Sequence, residues 1–362
     1  MPKVLKRILF ISLCVILSVL TIAVIYLGYV VFSYSRIADN QVLTVESGAP
    51  NSQMLKDTEY TIVTQNLGFG AYTRDFTFFM DGGKESWAKS KESVKDCLTK
   101  ASQKVNSFNP DLILYQEVDT NSTRSYHIDQ RAFMNELTPG YTSVGACNYH
   151  SAFLFWPLFQ PHGKCNSEIT TYSKYQITSS VRRSLPISKS FSKFLDLDRC
   201  YSVSRIPVEG GKELVVFNAH LSAYGSSDEI REGQMRMLFS QMQEEYEKGN
   251  YCICGGDFNH DFTGDSTQKL NGGATVDFGW AQPFPADILA EYTGITRAMS
   301  YKDGKDQPTC RNCDIPYTEG NFTIIVDGFL VSNNVEITYL ENIVTGFEYS
   351  DHNPVVMKFK LV

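Results

Sequence analysis

Basic charge is scarce in this sequence, and its scarcity is the first constraint on what the chain can bind. The 362 residues hold 33 lysines and arginines against 40 aspartates and glutamates. Four of the basic residues but only one acidic residue precede Leu43, so the rest of the chain carries a net charge of about −10. A domain with that balance has no global attraction for phosphate backbones or anionic lipid. It also lacks a basic stripe with interleaved aromatics of the kind that grips long single strands. Arg182, Arg183 and Lys189 make only a small cluster, expected to be solvated surface. No repeat of fixed period occurs, and no interior linker divides the chain, so the roughly 300 residues after the N-terminal region read as one domain. Zinc-ribbon spacing is missing as well, because the C-x-x-C pair Cys310/Cys313 has no second pair to match it.

One stretch lacks charge altogether. Ile8 to Phe32 runs 25 residues without an ionisable acid or base, preceded by Lys3, Lys6 and Arg7. About 20 apolar residues cross a bilayer core as a helix, so the segment is long enough with some tilt. A cleaved signal peptide has a shorter apolar region of about 7–15 residues and a small-x-small site, which "SYSRIADNQ" does not supply. Residues 1–36 are therefore expected to be a short cytoplasmic stub and an uncleaved transmembrane anchor, 37–57 a polar linker, and 58–362 the working domain. Three basic residues before the span against Arg36 after it put the N-terminus in the cytoplasm and the domain outside it. Eight of the nine cysteines lie beyond the span. Outside the cytoplasm they permit disulfides, with Cys147–Cys165 and Cys310–Cys313 as candidate pairs, though the connectivity is not readable from sequence. Cys252 and Cys254 alternate in an apolar run and read as small buried thiols.

Short runs rich in β-branched and aromatic residues read as strands: 59–66, 111–118, 199–208, 213–221, 251–257, 323–332 and 354–362. Helical spacing appears in two places. Trp87–Val105 puts Val94, Leu98, Ala101 and Val105 on one face, and Asp228–Tyr246 does the same with Ile230, Leu238, Met242 and Tyr246. Tyr141–Lys164 is aromatic-rich without a clean period and is expected to be a long surface loop or lid, its aromatics scattered rather than striped.

The strand ends carry the chemistry. Four apolar runs end in Asn66, Glu117, His220 and Asp257. Each alone has an ordinary explanation: a turn asparagine, a core histidine, a capping carboxylate. Four together point to one sheet edge where ligands gather. Asp257 and Asn259, two apart in an extended backbone, would face the same way, with Phe258 turned into the core and Gly255 and Gly256 allowing close approach of a bound group. Of the other polar residues in "GGDFNHDFTGD", His260, Asp261 and Asp265 have no such partners and read as loop surface. Asp327 lies within an apolar run, where a buried carboxylate suits the orienting of a histidine. Asp351 and His352 precede Pro354, which favours an extended lead into the last strand.

The order "TQNLG", "LYQEV", "TYSKY", "NAHLSAY", "GGDFN", "VDGFLVS", "SDHNPV" resembles the endonuclease/exonuclease/phosphatase superfamily of deoxyribonuclease I-like hydrolases, over nearly the whole chain after the anchor. The pairing of "GGDFN" with "SDHNPV" is its specific part, while "YSKYQI" departs from the family's usual "LSKYPI". The resemblance implies an α/β fold, a four-layer α/β/β/α sandwich, with one active site between the upper edges of the sheets. It implies Mg²⁺, with Mn²⁺ as the alternative, held by Asn66, Glu117 and Asp351. It also implies that His220, Asp257, Asn259, Asp327 and His352 act on a phosphoryl group, Asp327 by orienting His352; which of Asp257 and His352 is the base stays open. The expected activity is metal-assisted hydrolysis of a phosphoester, a diester before a monoester. The expected substrates are a nucleic acid, a phospholipid headgroup or a small phosphate ester. No protein partner is expected, and the membrane is contacted through residues 8–32. The alternative is a membrane-tethered binding module that kept the fold and lost the chemistry.

Overall fold

The structure, a computed structural model, describes residues 2–48, 51–190, 193, 198–223, 227–272, 280, 282–299 and 307–362. Ala49 and Pro50 of the expected linker and Tyr224 at the end of "NAHLSAY" lie outside the described residues.

Two seven-stranded sheets pack face to face. The first holds β2 (Val45–Glu46), β3 (Tyr60–Asn66), β4 (Leu112–Asp119), β5 (Thr142–His150), β6 (Asn166–Ser173), β13 (Val335–Asn342) and β14 (Val355–Leu361), in the order β13-β14-β3-β4-β6-β5-β2. The second holds β1 (Gln41–Val42), β7 (Ser179–Ser184), β8 (Cys200–Val208), β9 (Lys212–His220), β10 (Tyr251–Asp257), β11 (Ile295–Arg297) and β12 (Asp327–Ser332), in the order β1-β7-β8-β9-β10-β12-β11. The central strands are apolar on both faces because both faces are covered. Ile62, Leu112, Leu114, Leu214, Val216, Tyr251 and Ile253 point between the sheets into one core. Their neighbours Val63, Ile113 and Tyr115 face outward onto helix α2 (Lys91–Asn106). On the other side, Val215, Phe217, Cys252 and Cys254 face helix α4 (Asp228–Glu247). The period of two along each strand thus builds all four layers of the expected α/β/β/α sandwich.

The helices follow their patterns to different degrees. Helix α2 starts at Lys91, where the Ser90 side chain accepts from the Ser93 N–H, and it buries Val94, Leu98, Ala101 and Val105 as expected. Helix α4 buries Leu238 and Met242 but leaves Ile230 and Tyr246 half-buried, and it turns the polar Arg231, Gln234 and Glu245 inward instead. These have partners: Gln234 bonds Ser222 and the Pro186 carbonyl, and Glu245 pairs with Arg205 and Asn250. A pattern built on hydrophobicity alone cannot see a face that is buried through polar pairing.

Several expectations change. The 323–332 run divides: Thr323–Ile324 pairs with Cys310–Arg311 in a separate two-stranded ladder, and only Asp327–Ser332 joins the second sheet. The first part of Tyr141–Lys164 is not a loop but strand β5, an inner strand of the first sheet. Part of the expected linker is woven into the sandwich, with Gln41–Val42 pairing to β7 and Val45–Glu46 to β5. All nine cysteines are free thiols, including both candidate pairs. Arg182 is not solvated but completely buried, donating to the carbonyls of Cys147 and Asp198 and to Ser184.

His260 and Asp261, expected as loop surface, are buried too. Asp261 accepts from the backbone N–H of Gly264, Ser266 and Thr267 and fixes the turn after β10, while Asp265 is exposed as expected. The His260 Nδ1 lies 2.6 Å from the Phe258 carbonyl, which requires an N–H there. Burial depresses this imidazole to about 4. The unfolded chain takes up that proton near pH 6.5 and the folded chain does not until about 4, so stability is present above pH 6.5 and is lost as pH falls toward 4. Between pH 7 and pH 5 this one group removes about 2 kcal/mol. In urea unfolding of the detergent-solubilised chain, His260→Gln is expected to shrink the loss of stability between pH 7 and pH 5 by about that amount. An unchanged loss would contradict the assignment.

Candidate active site

The two large sheets each contain a parallel central pair, β3–β4 and β9–β10. Parallel strands end on the same side, so Asn66 and Glu117 arrive together at the edge of one sheet and His220 and Asp257 at the edge of the other. The four residues therefore do not share a sheet edge; they meet across the sandwich. Asn66 Nδ2 makes the crossing, 3.0 Å from Asp257 Oδ2 and 3.4 Å from Glu117 Oε1. Directly beneath, Gln116 Nε2 donates to Asn218 Oδ1 at 2.8 Å, and Asn218 Nδ2 donates back to the Thr170 and Tyr115 carbonyls of the first sheet. This buried amide ladder ties the sheets together under the site.

Glu117 reaches the cavity because the ladder breaks. The register between β4 and β6 shifts between Tyr115 and Val118, and Glu117 takes a left-handed φ of 54°. A bulge of this kind re-aims a side chain at the cost of local strain, which is common at functional sites. Asn259 also departs from expectation: its φ of 50° is left-handed rather than extended. Its N–H donates to Asp257 Oδ1 at 2.9 Å and its Nδ2 to the Leu221 carbonyl at 2.8 Å, while Phe258 is buried as expected. The glycines of "GGDFN" serve packing rather than a bound group. A Cβ on Gly255 would lie 2.6 Å from Phe329 and 2.7 Å from Leu114, and one on Gly256 would lie 1.9 Å from the Ala219 carbonyl oxygen.

Asp327 starts β12 directly opposite Asp257 on β10 and is fully buried. Its Oδ2 is 2.7 Å from His352 Nδ1. The other ring nitrogen of His352 is 3.7 Å from Asp257 Oδ2, and His220 Nε2 is 3.6 Å from the same oxygen. The two histidines are shifted in opposite directions. Burial opposes a charge on His352, but Asp327, with Asp351 and Asp257, outweighs it and raises this group well above the ordinary histidine value. Burial lowers His220 well below that value, helped by the positive charges of Arg199 and His352. Asn148 supports His220, with Nδ2 3.3 Å from its Nδ1. Burial raises Asp257 to about 6, with Asp327 adding and His352 opposing. Asp351 rises to about 7, through burial first and then, after His352 works against it, the charge of Glu117.

These groups line a cavity of about 380 Å³ that also takes in Asp81, Asn148, Arg124, Arg199 and Arg311. Glu117, Asp351 and Asp81 give it an oxygen donor set with mutually repelling charges, and such a set fits a hard divalent cation. Asp257, Asp327 and His352 form a buried group that could hold a metal ion, with donor atoms within 4.8 Å of one another. The hydrogen bond from His352 Nδ1 to Asp327 uses that nitrogen for orientation, so Glu117 and Asp351 are the better metal donors. Every residue expected at the site thus reaches one cavity or supports a residue that does. Asn148, Asp81 and Arg311 were not visible in the sequence, because none lies in a recognised site motif, while Asn218 and Gln116 were passed over inside "NAHLSAY" and "LYQEV" because their partners lie in other strands. Arg311 is the most unusual: 1% exposed, it donates from Nη2 to the Thr73 and Phe76 carbonyls, while Nε and Nη1 have no partner among the described residues.

The family model described as Endonuclease/Exonuclease/phosphatase family matches residues 63–352. No curated protein matches the sequence. Among solved structures, an endonuclease/exonuclease/phosphatase from Beutenbergia cavernae superposes with a TM-score of 0.58 at 15% identity, covering 84% of this chain and 72% of that one. A mannosyl-6-phosphatase from Bacteroides thetaiotaomicron gives 0.52 at 18% identity, covering 83% and 99%. The human Nocturnin catalytic domain with bound sulfate anion gives 0.50 at 16% identity, covering 88% and 98%. At these identities the likeness is one of fold.

The role of Gly256 can be checked directly. With a φ of 151° and no room for a Cβ, Gly256→Ala is expected to destabilise the protein by about 3 kcal/mol or more. A free energy of unfolding in urea within about 0.5 kcal/mol of the parent, the size of an ordinary surface change, would show that the strand can shift to admit it.

Proposed function

The chain belongs to the endonuclease/exonuclease/phosphatase family, and from that premise we propose that it is a membrane-anchored, metal-dependent phosphodiesterase acting on a nucleic acid or a phospholipid headgroup. The observation that carries the reading is Asp257 set between His220 and His352, 3.6 and 3.7 Å from their ring nitrogens, beside a cluster of carboxylate oxygens. Glu117 and Asp351 would hold Mg²⁺ or Mn²⁺; Asn66, expected as a third ligand, instead turns its Nδ2 toward Glu117 and Asp257 and its Oδ1 to the Gly68 N–H. Bound there, the cation would neutralise charge on the phosphoryl oxygens and polarise the phosphorus–oxygen bonds.

The protein groups divide the remaining work. Asp257, raised toward neutrality by burial, takes a proton from the attacking water, which Asn259 helps to place. The water oxygen bonds to phosphorus, the bond to the alcohol oxygen breaks in line, and that oxygen leaves with the proton carried by His352. His352 and His220 direct N–H groups at the phosphoryl oxygens, where negative charge grows in the transition state. Asp327 fixes the ring of His352 and keeps it protonated. The apolar helix Lys3–Ser33 supports the anchor, since it is long enough to cross a bilayer.

Hydrolysis of bis-p-nitrophenyl phosphate by the detergent-solubilised chain tests the reading. Activity should vanish with EDTA and return with Mg²⁺ or Mn²⁺. Glu117→Ala and His352→Ala should each lower kcat on the order of 10²–10³-fold. Turnover that survives both substitutions would reject the site, and absence of turnover in the parent would favour the binding module. The pH profile gives a separate check. Asp327 raises His352, so Asp327→Asn lowers it, and the alkaline limb of the kcat profile should move to lower pH. An unmoved limb would mean that His352 is not the group titrating there.

A further inference from the structure

The expected scatter of aromatics in the 141–164 segment is not what the fold produces. After β5 the chain forms a loop closed at its base by reciprocal backbone hydrogen bonds between Leu154 and Gly163, at 3.0 and 2.9 Å. Side chains brace the base from outside: Trp87 Nε1 donates to the Pro161 carbonyl, and Gln160 Oε1 accepts from the Ser86 N–H. The tip is apolar and bare. Trp156 is 59% exposed, Leu158 61% and Phe159 fully exposed. A rigid base that holds large apolar side chains in water is an interaction surface rather than a loop awaiting its own core.

What lies beside that tip names its partner. The loop is bonded to the apolar helix α1 (Lys3–Ser33). Tyr26 OH donates to the Phe153 carbonyl at 2.9 Å and accepts from the Phe155 N–H at 3.3 Å, and Tyr29 OH accepts from the Phe153 N–H at 3.1 Å. The Tyr26 and Phe155 rings meet edge to face with centroids 4.8 Å apart. At 1.5 Å per residue, the run from Ile8 to Tyr26 covers about 27 Å, close to the roughly 30 Å of a bilayer hydrocarbon core. With Ile8 at one boundary, Tyr26 and Tyr29 fall at the other, where tyrosine and tryptophan concentrate. The loop is pinned at that depth.

The cavity is continuous with this contact. Tyr26, Phe155 and Trp156 line it together with Glu117, His352 and the buried guanidinium of Arg311. From this arrangement we infer that the 155–159 tip is a membrane-embedded foot, and that the cavity draws its substrate from the bilayer: a phosphoester carried on a hydrocarbon tail. The inference rests on the proposed hydrolase reading for the chemistry at the phosphate end. At the other end the tail lies along Tyr26, Phe155 and Trp156, where a water-soluble ester would leave apolar surface uncovered. The acidic balance of the domain is no obstacle, because the contact is apolar and needs no anionic lipid.

The test uses the full chain reconstituted in phosphatidylcholine vesicles, with two readouts. The first is tryptophan quenching by phosphatidylcholine brominated on the acyl chains. Quenching is expected in the parent and should fall by at least half in Trp156→Phe. Equal quenching in both, or none, would overturn the foot. The second compares hydrolysis of a p-nitrophenyl ester of a long-chain alkyl phosphate, held in the vesicles, with hydrolysis of bis-p-nitrophenyl phosphate in water. Leu158→Ser with Phe159→Ser, which lie outside the cavity wall, should lower the first rate at least tenfold and leave the second within twofold. Equal effects on the two substrates would overturn the bilayer route. A parent inactive on both substrates would reject the hydrolase reading and the substrate claim with it, while the quenching result would still decide the foot.

Discussion

Everything at the candidate site depends on two parallel strand pairs ending on the same side of a closed sandwich. Each sheet is mostly antiparallel, and an all-antiparallel arrangement would scatter alternate strand ends to opposite edges. The β3–β4 and β9–β10 pairs break that alternation at the centre of each sheet. They deliver an amide and a carboxylate from one sheet, and an imidazole and a carboxylate from the other, to the same mouth. The crossing Asn66–Asp257 hydrogen bond and the Gln116–Asn218 pair below it hold that mouth to a fixed width. Buried amides of this kind are tolerated only when paired, and their pairing fixes the register of one sheet on the other.

The electrostatics follow from that geometry. Four carboxylates, Glu117, Asp257, Asp327 and Asp351, gather around two histidines inside a largely apolar shell. Asp327 is hydrogen-bonded to His352, burial lowers His220 with Arg199 adding to the effect, and burial raises Asp257 and Asp351 above the ordinary carboxylate range. A bound cation would relieve the repulsion among these carboxylates. The α1 helix and the loop against it add a second constraint, since Tyr26 and Tyr29 bond the backbone of Phe153 and Phe155 at the cavity wall.

Much of this was legible in the sequence, for identifiable reasons. Four of the candidate site residues, Asn66, Glu117, His220 and Asp257, sit at the ends of short apolar runs, where the change from apolar to polar residues is abrupt. The layers were expected from the family resemblance, and in the structure a period of two places Ile62 and Val63, or Ile253 and Cys254, on opposite faces. What escaped had no local signal. The Glu117 bulge depends on β6, some 50 residues away. The packing role of Gly255 depends on Leu114 and Phe329 in two different sheets. Arg182, His260 and Asp261 read as surface because burial of a polar side chain is decided by distant partners rather than by its neighbours in sequence. The aromatic loop after β5 looked scattered because its order comes from the helix it touches.

The central claim, that residues from separate strands assemble one hard-cation site, is tested most directly by Mn²⁺ titration of the detergent-solubilised chain followed by electron paramagnetic resonance. The account predicts one tightly bound ion per chain, lost in Glu117→Gln and in Asp351→Asn and displaced by excess Mg²⁺. Mn²⁺ bound with unchanged affinity in both variants would place the metal elsewhere and contradict it.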